Sequence, residues 1–321
     1  MDTISQNARS LDDPLITGLL DVLERVAGPH PGFRPVHAKG IMCSGRFTPG
    51  PDAITLTRAP HVVRESTPVI VRFSDAAGLP TIADNAPNGA SPRGIAIRFT
   101  LGPHAHTDII GHSYDGFPTR TGEEFLELNR AVLASGPGAP KPTPIESFLS
   151  THPKALEFVQ APKPIPTSFA REAFFALTAF RFTNKDGVSR FGRFKIRPEA
   201  GTNYLSDADA AKKSPNFLMD ELTERLARGP VKFHVRVQIA SDGDDTADAT
   251  TRWPESRQEL EFGTVALTDR LNADDPEFKR IIFDPLPRVD GIDPSGDPLI
   301  QVRSALYLLS GRRRRAAAAT R

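Results

Sequence analysis

Thr67-Pro-Val-Ile-Val-Arg-Phe-Ser74 and Ser91-Pro-Arg-Gly-Ile-Ala-Ile-Arg-Phe99 decide how this chain folds. The first is a β-branched run that ends in Arg72 and Ser74. The second alternates its side chains with a period of two, which places Ile95, Ile97 and Phe99 on one face. The intervening loop, Asp75 to Ala90, is rich in Gly, Pro and Asn, and strand, loop, strand in this manner favours antiparallel pairing. Further strands are expected at Ile41–Phe47, Asp108–Ser113, Phe174–Thr183, Gly192–Arg197, Val231–Ile239, Glu259–Leu267 and Lys279–Asp284. Val231–Ile239 has the cleanest alternation. Helices are expected at Pro14–Ala27, Gly122–Leu133, Ile145–Val159, Asp207–Lys213 and Asn216–Ala227. Asp12 or Asp13 can cap the first of these, Pro14 suits its first turn and Gly28 follows its end. The pattern predicts an α+β fold: about eight strands in one antiparallel set, with helices inserted and no internal repeat.

Composition narrows the function. The 321 residues can bury a large core. A net charge of +1 offers no global basic field for nucleic acid. No run of about 18 apolar residues is present, so no membrane-spanning helix is expected. Met1 to Asp13 is polar and carries no secretory apolar region. The single cysteine, Cys43, excludes a disulfide within the chain and fits a reducing, cytoplasmic location. Twenty phenylalanines against three tyrosines and one tryptophan suggest a core or pocket walled by plain aromatic rings. The 30 prolines argue against a helical bundle.

Candidate chemistry begins near the C-terminus, in Gly291-Ile-Asp-Pro-Ser-Gly-Asp-Pro-Leu-Ile-Gln-Val-Arg303-Ser-Ala-Leu-Tyr307. On a helix, Arg303 and Tyr307 share a face one turn apart. A guanidinium that close favours the anionic form of a phenol, and a phenolate is a hard oxygen donor able to ligate ferric iron. The ordinary alternative is a packed tyrosine with an arginine over its ring. Arg34-Pro-Val-His37-Ala-Lys-Gly40 places a histidine, the side chain best suited to move a proton near neutral pH, beside Ala38 and Gly40, small enough to admit a bulky planar group. His104, His106 and His112 could be metal ligands, but their spacing lacks a carboxylate or cysteine partner. Cys43 reads as a packed small residue. The closing run Gly311-Arg-Arg-Arg-Arg-Ala-Ala-Ala-Ala-Thr-Arg321 reads as a solvated basic tail over 312–321, with its first arginines near Tyr307.

The ordered set of these motifs resembles the haem catalases, and in particular their short relatives, the catalase-related peroxidases. Arg34 to Gly40 is similar to the distal-histidine motif. Thr67 to Ser74 is similar to the strand that brings an arginine to a haem propionate and a serine to that histidine. Pro92-Arg93-Gly94, Asp108-Ile-Ile-Gly111, Phe283-Asp284-Pro285 and Arg303-xxx-Tyr307 follow in the family's order. The resemblance covers about residues 30–315. It implies one haem-binding domain over 1–321, built on a catalase-like antiparallel eight-stranded β-barrel with helices packed around it.

The resemblance also implies the site. One haem b per chain would be ligated through iron by Tyr307, paired with Arg303, the tyrosinate arrangement typical of catalases. Arg34, Arg72 and Arg314 would meet the propionates, and Phe117 and Phe125 would pack near the ring. His37, oriented by Ser74, would relay the peroxide proton. The family asparagine after Gly111 is here His112, which donates a hydrogen bond only in the right tautomer or when protonated. Weaker disproportionation of hydrogen peroxide is therefore expected, with a His112→Asn variant as its test. The short chain implies no C-terminal nucleotide domain, no NADPH, and a shallower pocket open to organic hydroperoxides. The expected activity is haem-dependent peroxidase chemistry with a small organic electron donor and weak catalase activity. The alternatives are an allene oxide synthase-like hydroperoxide rearrangement and a non-catalytic haem carrier. A homodimer is the preferred assembly.

Overall fold

The computed structural model describes residues 9–87, 89–272, 275, 278 and 280–319. Its strands are β1 (Gly40–Pro49), β2 (Thr67–Ser74), β3 (Gly94–Gly102), β4 (Ala105–His112), β5 (Phe174–Phe175), β6 (Phe180–Thr183), β7 (Ser189–Pro198), β8 (Val231–Ile239), β9 (Glu259–Arg270) and β10 (Ile292–Pro294). Antiparallel pairing runs β7-β5-β4-β3-β2-β1-β9-β8, and β8 pairs back to β7 to close an eight-stranded barrel. The short β6 and β10 extend from β7 outside that ring. The expected barrel is therefore present.

Closure explains the phenylalanine excess. Phe47, Phe73, Phe99, Phe174, Phe233 and Phe262 are almost completely buried. Phe47 meets Phe99 edge-on at 5.0 Å, and Phe73 stacks on Phe169 at 5.3 Å. Each fully buried ring contributes about 2–3 kcal/mol.

A helical layer lies beside the barrel. It comprises α1 (Pro14–Ala27), α4 (Gly122–Ala134) and the long C-terminal α9 (Pro298–Ala319). Asp13 caps α1 by accepting from the Leu15 amide at 2.8 Å. Ile16, Leu19, Leu20 and Leu23 recur at helical spacing along one face of α1. They pack on Leu126 of α4 and on Val302, Ala305 and Leu306 of α9. The shorter helices are α2 (Ala53–Leu56), α3 (Pro60–Val63), α5 (Pro144–Thr151), α6 (Pro153–Gln160), α7 (Asp207–Ala210) and α8 (Phe217–Arg228). Among the described residues no helix is long and apolar enough to cross a membrane.

Several expectations change in detail. Pro92 has no N–H to give to a ladder, so β3 starts at Gly94 rather than Ser91. The single helix expected over Ile145–Val159 is two, divided at His152-Pro153. No strand forms over Ile281–Asp284, and Lys279 lies outside the described residues. The carbonyls of Ile281 and Ile282 accept from arginine side chains instead of a neighbouring strand. The basic run is not a loose tail: α9 continues through it to Ala319. Its alanines favour helix, and Arg313 pairs with Glu24 and Asp21 of α1 at 2.7 and 2.8 Å.

Candidate active site

The barrel's strand register builds one side of the site. Gly40 on β1 pairs with Ser74 on β2, Ser74 with Gly94 on β3, Gly94 with His112 on β4, and His112 with Phe175 on β5. This row lies at the ends of five adjacent strands. His37 precedes β1 with φ +54°, the sole positive-φ non-glycine among the described residues. That conformation is costly for histidine. It is held by two amides: His37 N donates to Ala76 O at 2.8 Å and Ala38 N to Ala77 O at 3.0 Å.

Ser74 Oγ then lies 3.1 Å from His37 Nδ1. A side chain at Gly94 would meet Ser74 Oγ at 2.6 Å and His37 Nδ1 at 2.8 Å. Gly94 thus makes the space that the pair occupies, a role the sequence motif did not disclose. Gly40 has a different role from the one its size suggested. A Cβ there would strike the Phe73 carbonyl and come within 2.6 Å of the Arg72 guanidinium. It serves close strand packing, and no planar group is required to explain it.

Arg72 lies two residues before Ser74 on β2 and therefore on the same face. It is buried and donates to the carbonyls of His37 at 2.8 Å and Ala38 at 3.1 Å. Arg34 donates to Ile281 O at 3.1 Å, and Arg314 donates to the same oxygen at 3.3 Å. The three guanidiniums sense one another: burial, then the neighbouring arginines, pushes Arg34 well below its usual range. Burial followed by Arg314 pushes Arg72 down to about 10. Among the described residues, neither Arg34 nor Arg72 has a carboxylate within salt-bridge distance.

The helical layer supplies the opposite side. Arg303 and Tyr307 lie one turn apart on α9, with the guanidinium 5.8 Å from the ring centroid, and Arg303 donates to Thr178 Oγ1 at 3.4 Å. Tyr307 packs against the α1–α4–α9 apolar cluster alongside Phe125. Phe125 and Phe117 are 5.3 Å apart, and Phe117 is 6.5 Å from His112. The two sides lie within electrostatic reach of each other. Burial first, then Arg72, pushes His37 down to about 4, and Arg303 adds to the same effect.

His112 has a defined tautomer. Its Nδ1 accepts from the Tyr114 amide at 3.3 Å, so the neutral ring carries its proton on Nε2. Burial first, then His37, pushes His112 down to about 3, which keeps it neutral. That buried Nε2 has no hydrogen-bond partner among the described residues.

The other candidates do not converge. His104 is exposed and His106 turns to Asp108 at 3.2 Å. Among the described residues no group of three His, Cys, Asp or Glu could hold a metal. Cys43 is buried within the barrel, and burial pushes its thiol up to about 12.

A supporting network escaped notice in the sequence. Arg93, fully buried, donates to Asp75 and to Ala90 O, the latter at 2.8 Å. Lys39 Nζ lies 2.6 Å from Asp84 Oδ1 and 3.9 Å from Asp75 Oδ2. These two cations and two anions clamp the loop that holds His37. Their partners are 18 to 45 residues apart in sequence, so no local pattern reveals them.

The chain is similar to known proteins along nearly its whole length. The family profile described as Catalase matches residues 20–320. A catalase-related peroxidase of Mycolicibacterium paratuberculosis (strain ATCC BAA-968 / K-10) is 37% identical over 294 residues, covering 91% of this chain and 92% of its own. A second, from Synechococcus elongatus (strain ATCC 33912 / PCC 7942 / FACHB-805), is 33% identical over 296 residues, covering 91% of this chain and 86% of its own. The crystal structure of a fungal catalase superposes with a TM-score of 0.78 at 21% identity. It covers 98% of this chain and 65% of that one, and at that identity it speaks for the fold alone.

Proposed function

The chain belongs to the catalase family, in its short catalase-related form, and from that premise we propose that it is a haem-dependent peroxidase that reduces organic hydroperoxides and hydrogen peroxide. The observation that carries this reading is the meeting of two guanidiniums that have no carboxylate partner among the described residues, Arg34 and Arg72, with a neutral histidine pair on one side and Tyr307 on the other.

The residues fit a haem. Enclosed cations are costly without an anion, and two propionates would supply one for Arg34 and Arg72, with Arg314 beside them. Phe117 and Phe125 offer apolar faces for the porphyrin. Tyr307 would be the iron ligand, one haem to each chain, with Arg303 one turn before it on α9. A bound haem would supply the redox chemistry that peroxide reduction needs.

The chain's own groups handle the protons. His37 holds its Nδ1 at Ser74 Oγ, which leaves Nε2 as the base for the hydroperoxide O–H. The same nitrogen then returns that proton to the departing oxygen. Its depressed basicity keeps it neutral, and so ready to accept, across the usual pH range. His112 Nε2–H donates a hydrogen bond toward the peroxide, doing the task of an amide N–H. The tautomer therefore does not limit His112. Its ring, larger than a carboxamide and close to Phe117 and Phe158, narrows the space for a second hydrogen peroxide, and weak catalase activity follows from size.

The test is turnover of cumene hydroperoxide by the haem-loaded protein with and without a reducing dye. Cumyl alcohol formed in step with dye oxidation is the expected result. Consumption of a fatty-acid hydroperoxide into an isomer without any donor would replace this reading with rearrangement.

A further inference from the structure

A second concave region lies behind the arginine group. It is a cleft of about 440 Å³ whose walls include Arg98, Arg280, Phe283, Arg288, Leu308 and Arg315. Two of its four guanidiniums are matched. Arg98 pairs with Asp108 at 2.8 Å, and Arg288 with Asp284 at 2.9 Å. Arg280 and Arg315 have no carboxylate within salt-bridge distance among the described residues. They are tied together, because Arg315 donates to the Arg280 carbonyl at 3.0 Å. His106 at the rim faces Asp108, which Arg98 already holds. Among the described residues the cleft thus carries two guanidiniums without a carboxylate partner.

Apolar side chains of Ile281, Ile282, Phe283 and Leu308 share its remaining walls with His106, Asp284 and Ser304. Phe283 lies under the Arg98 guanidinium at 5.2 Å, and Leu308 is 41% exposed. Cations beside an apolar wall suit an organic anion with a flat hydrophobic body better than an inorganic one.

The wall between this cleft and the active site is thin. Ile281 O receives Arg34 and Arg314 from the site side, while the next carbonyl, Ile282 O, receives Arg98 from the cleft side. On α9, Ser304, Leu308 and Arg315 line the cleft. Each follows by one residue a group assigned to the site: Arg303, Tyr307 and Arg314. Successive residues on a helix are rotated by about 100°, so one helix serves both chambers.

We propose that this cleft binds the electron donor, and that the donor is a small aromatic carboxylate bearing oxidisable hydroxyls. The inference rests on the peroxidase reading. A dihydroxybenzoate AH2 gives two electrons and two protons to the hydroperoxide: ROOH + AH2 → ROH + A + H2O. The O–O bond breaks, one oxygen leaves in the alcohol and the other in water, and the donor becomes its quinone. Arg280 and Arg315 hold the carboxylate, and Phe283 and Leu308 hold the ring.

The experiment uses the haem-loaded protein with three probes: benzoate, which is redox-inert; 3,4-dihydroxybenzoate; and neutral hydroquinone. Calorimetry reads benzoate binding without turnover. Saturable binding is expected, weakened about tenfold by Arg280→Glu and about tenfold by Arg315→Ala. The same substitutions should raise KM for 3,4-dihydroxybenzoate about tenfold, leaving kcat and the KM for hydroquinone unchanged. Two variants on different elements guard against misfolding of either. Benzoate binding that ignores both substitutions overturns the proposal, as does a parallel rise in KM for both donors. Inorganic phosphate competing as well as benzoate would overturn the aromatic assignment. If hydroquinone also supports no hydroperoxide reduction, the peroxidase reading itself has failed; if hydroquinone works and the cleft substitutions do nothing, only the donor site has.

Discussion

Two groups of buried arginine sit close together in this molecule, and they are built in opposite ways. Arg93 lies in a set with Asp75, Asp84 and Lys39, in which each cation has a carboxylate partner. Arg34 and Arg72 donate to carbonyl oxygens, and among the described residues neither has a carboxylate within salt-bridge distance. The first arrangement carries its counter-charges within the chain. The second is disfavoured until an anion arrives. A buried cation with its counter-charge in the same chain reads as architecture, and one without it reads as a binding group.

The comparison can be broken most forcefully at Arg93. Arg93→Ala leaves Asp75 buried beside a missing partner and should cost about 3–5 kcal/mol in urea unfolding. A loss under about 1 kcal/mol would remove the distinction. The next effect is at His112, whose Nε2–H is the other unmatched polar group of the site. His112→Phe should lower kcat/KM for cumene hydroperoxide about a hundredfold. His112→Asn should keep that activity and raise hydrogen peroxide disproportionation; no rise would refute the argument from ring size.

Arg34→Met should behave unlike Arg93→Ala. Stability of the haem-free protein should hold within about 1 kcal/mol or increase, while haem affinity falls about tenfold. Equal losses at both arginines would erase the contrast. The smallest effect concerns pH. His37 must be neutral to take a proton, and burial followed by Arg72 holds it down at about 4. Activity should therefore be flat near neutrality and fall as pH drops through the acid range. Removing the Arg34 charge should move that acid limb upward by less than about one unit. An acid limb near the ordinary histidine value of about 6.5 in the wild type would contradict this picture.

Much of the barrel was legible because its strands bury one face and expose or cover the other. Thr67–Ser74 and Val231–Ile239 match their observed strands end to end. The segment Phe174–Thr183 reads as one strand but is two, since both β5 and β6 pair with β7 and the link between them bends away. The motif residues do assemble: His37 with Ser74, Arg34 with Arg72 and Arg314, Arg303 with Tyr307. What the sequence could not show was set by distant partners. The Ile281 carbonyl is claimed by Arg34 across 247 positions, so an apparent strand becomes a wall. The His112 tautomer depends on a local amide whose direction no propensity encodes. The basic run looked solvated because its alternation of faces on α9 is visible only once α1 and the barrel flank it.

The most direct measurement is the absorption spectrum and hydroperoxide turnover of the haem-reconstituted protein beside its Tyr307→Phe variant. Wild type should take up one haem per chain and reduce cumene hydroperoxide, and the variant should lose haem affinity by at least about a hundredfold, with turnover at background. A wild-type protein that stays colourless, or a variant that matches it in colour and rate, would contradict the account.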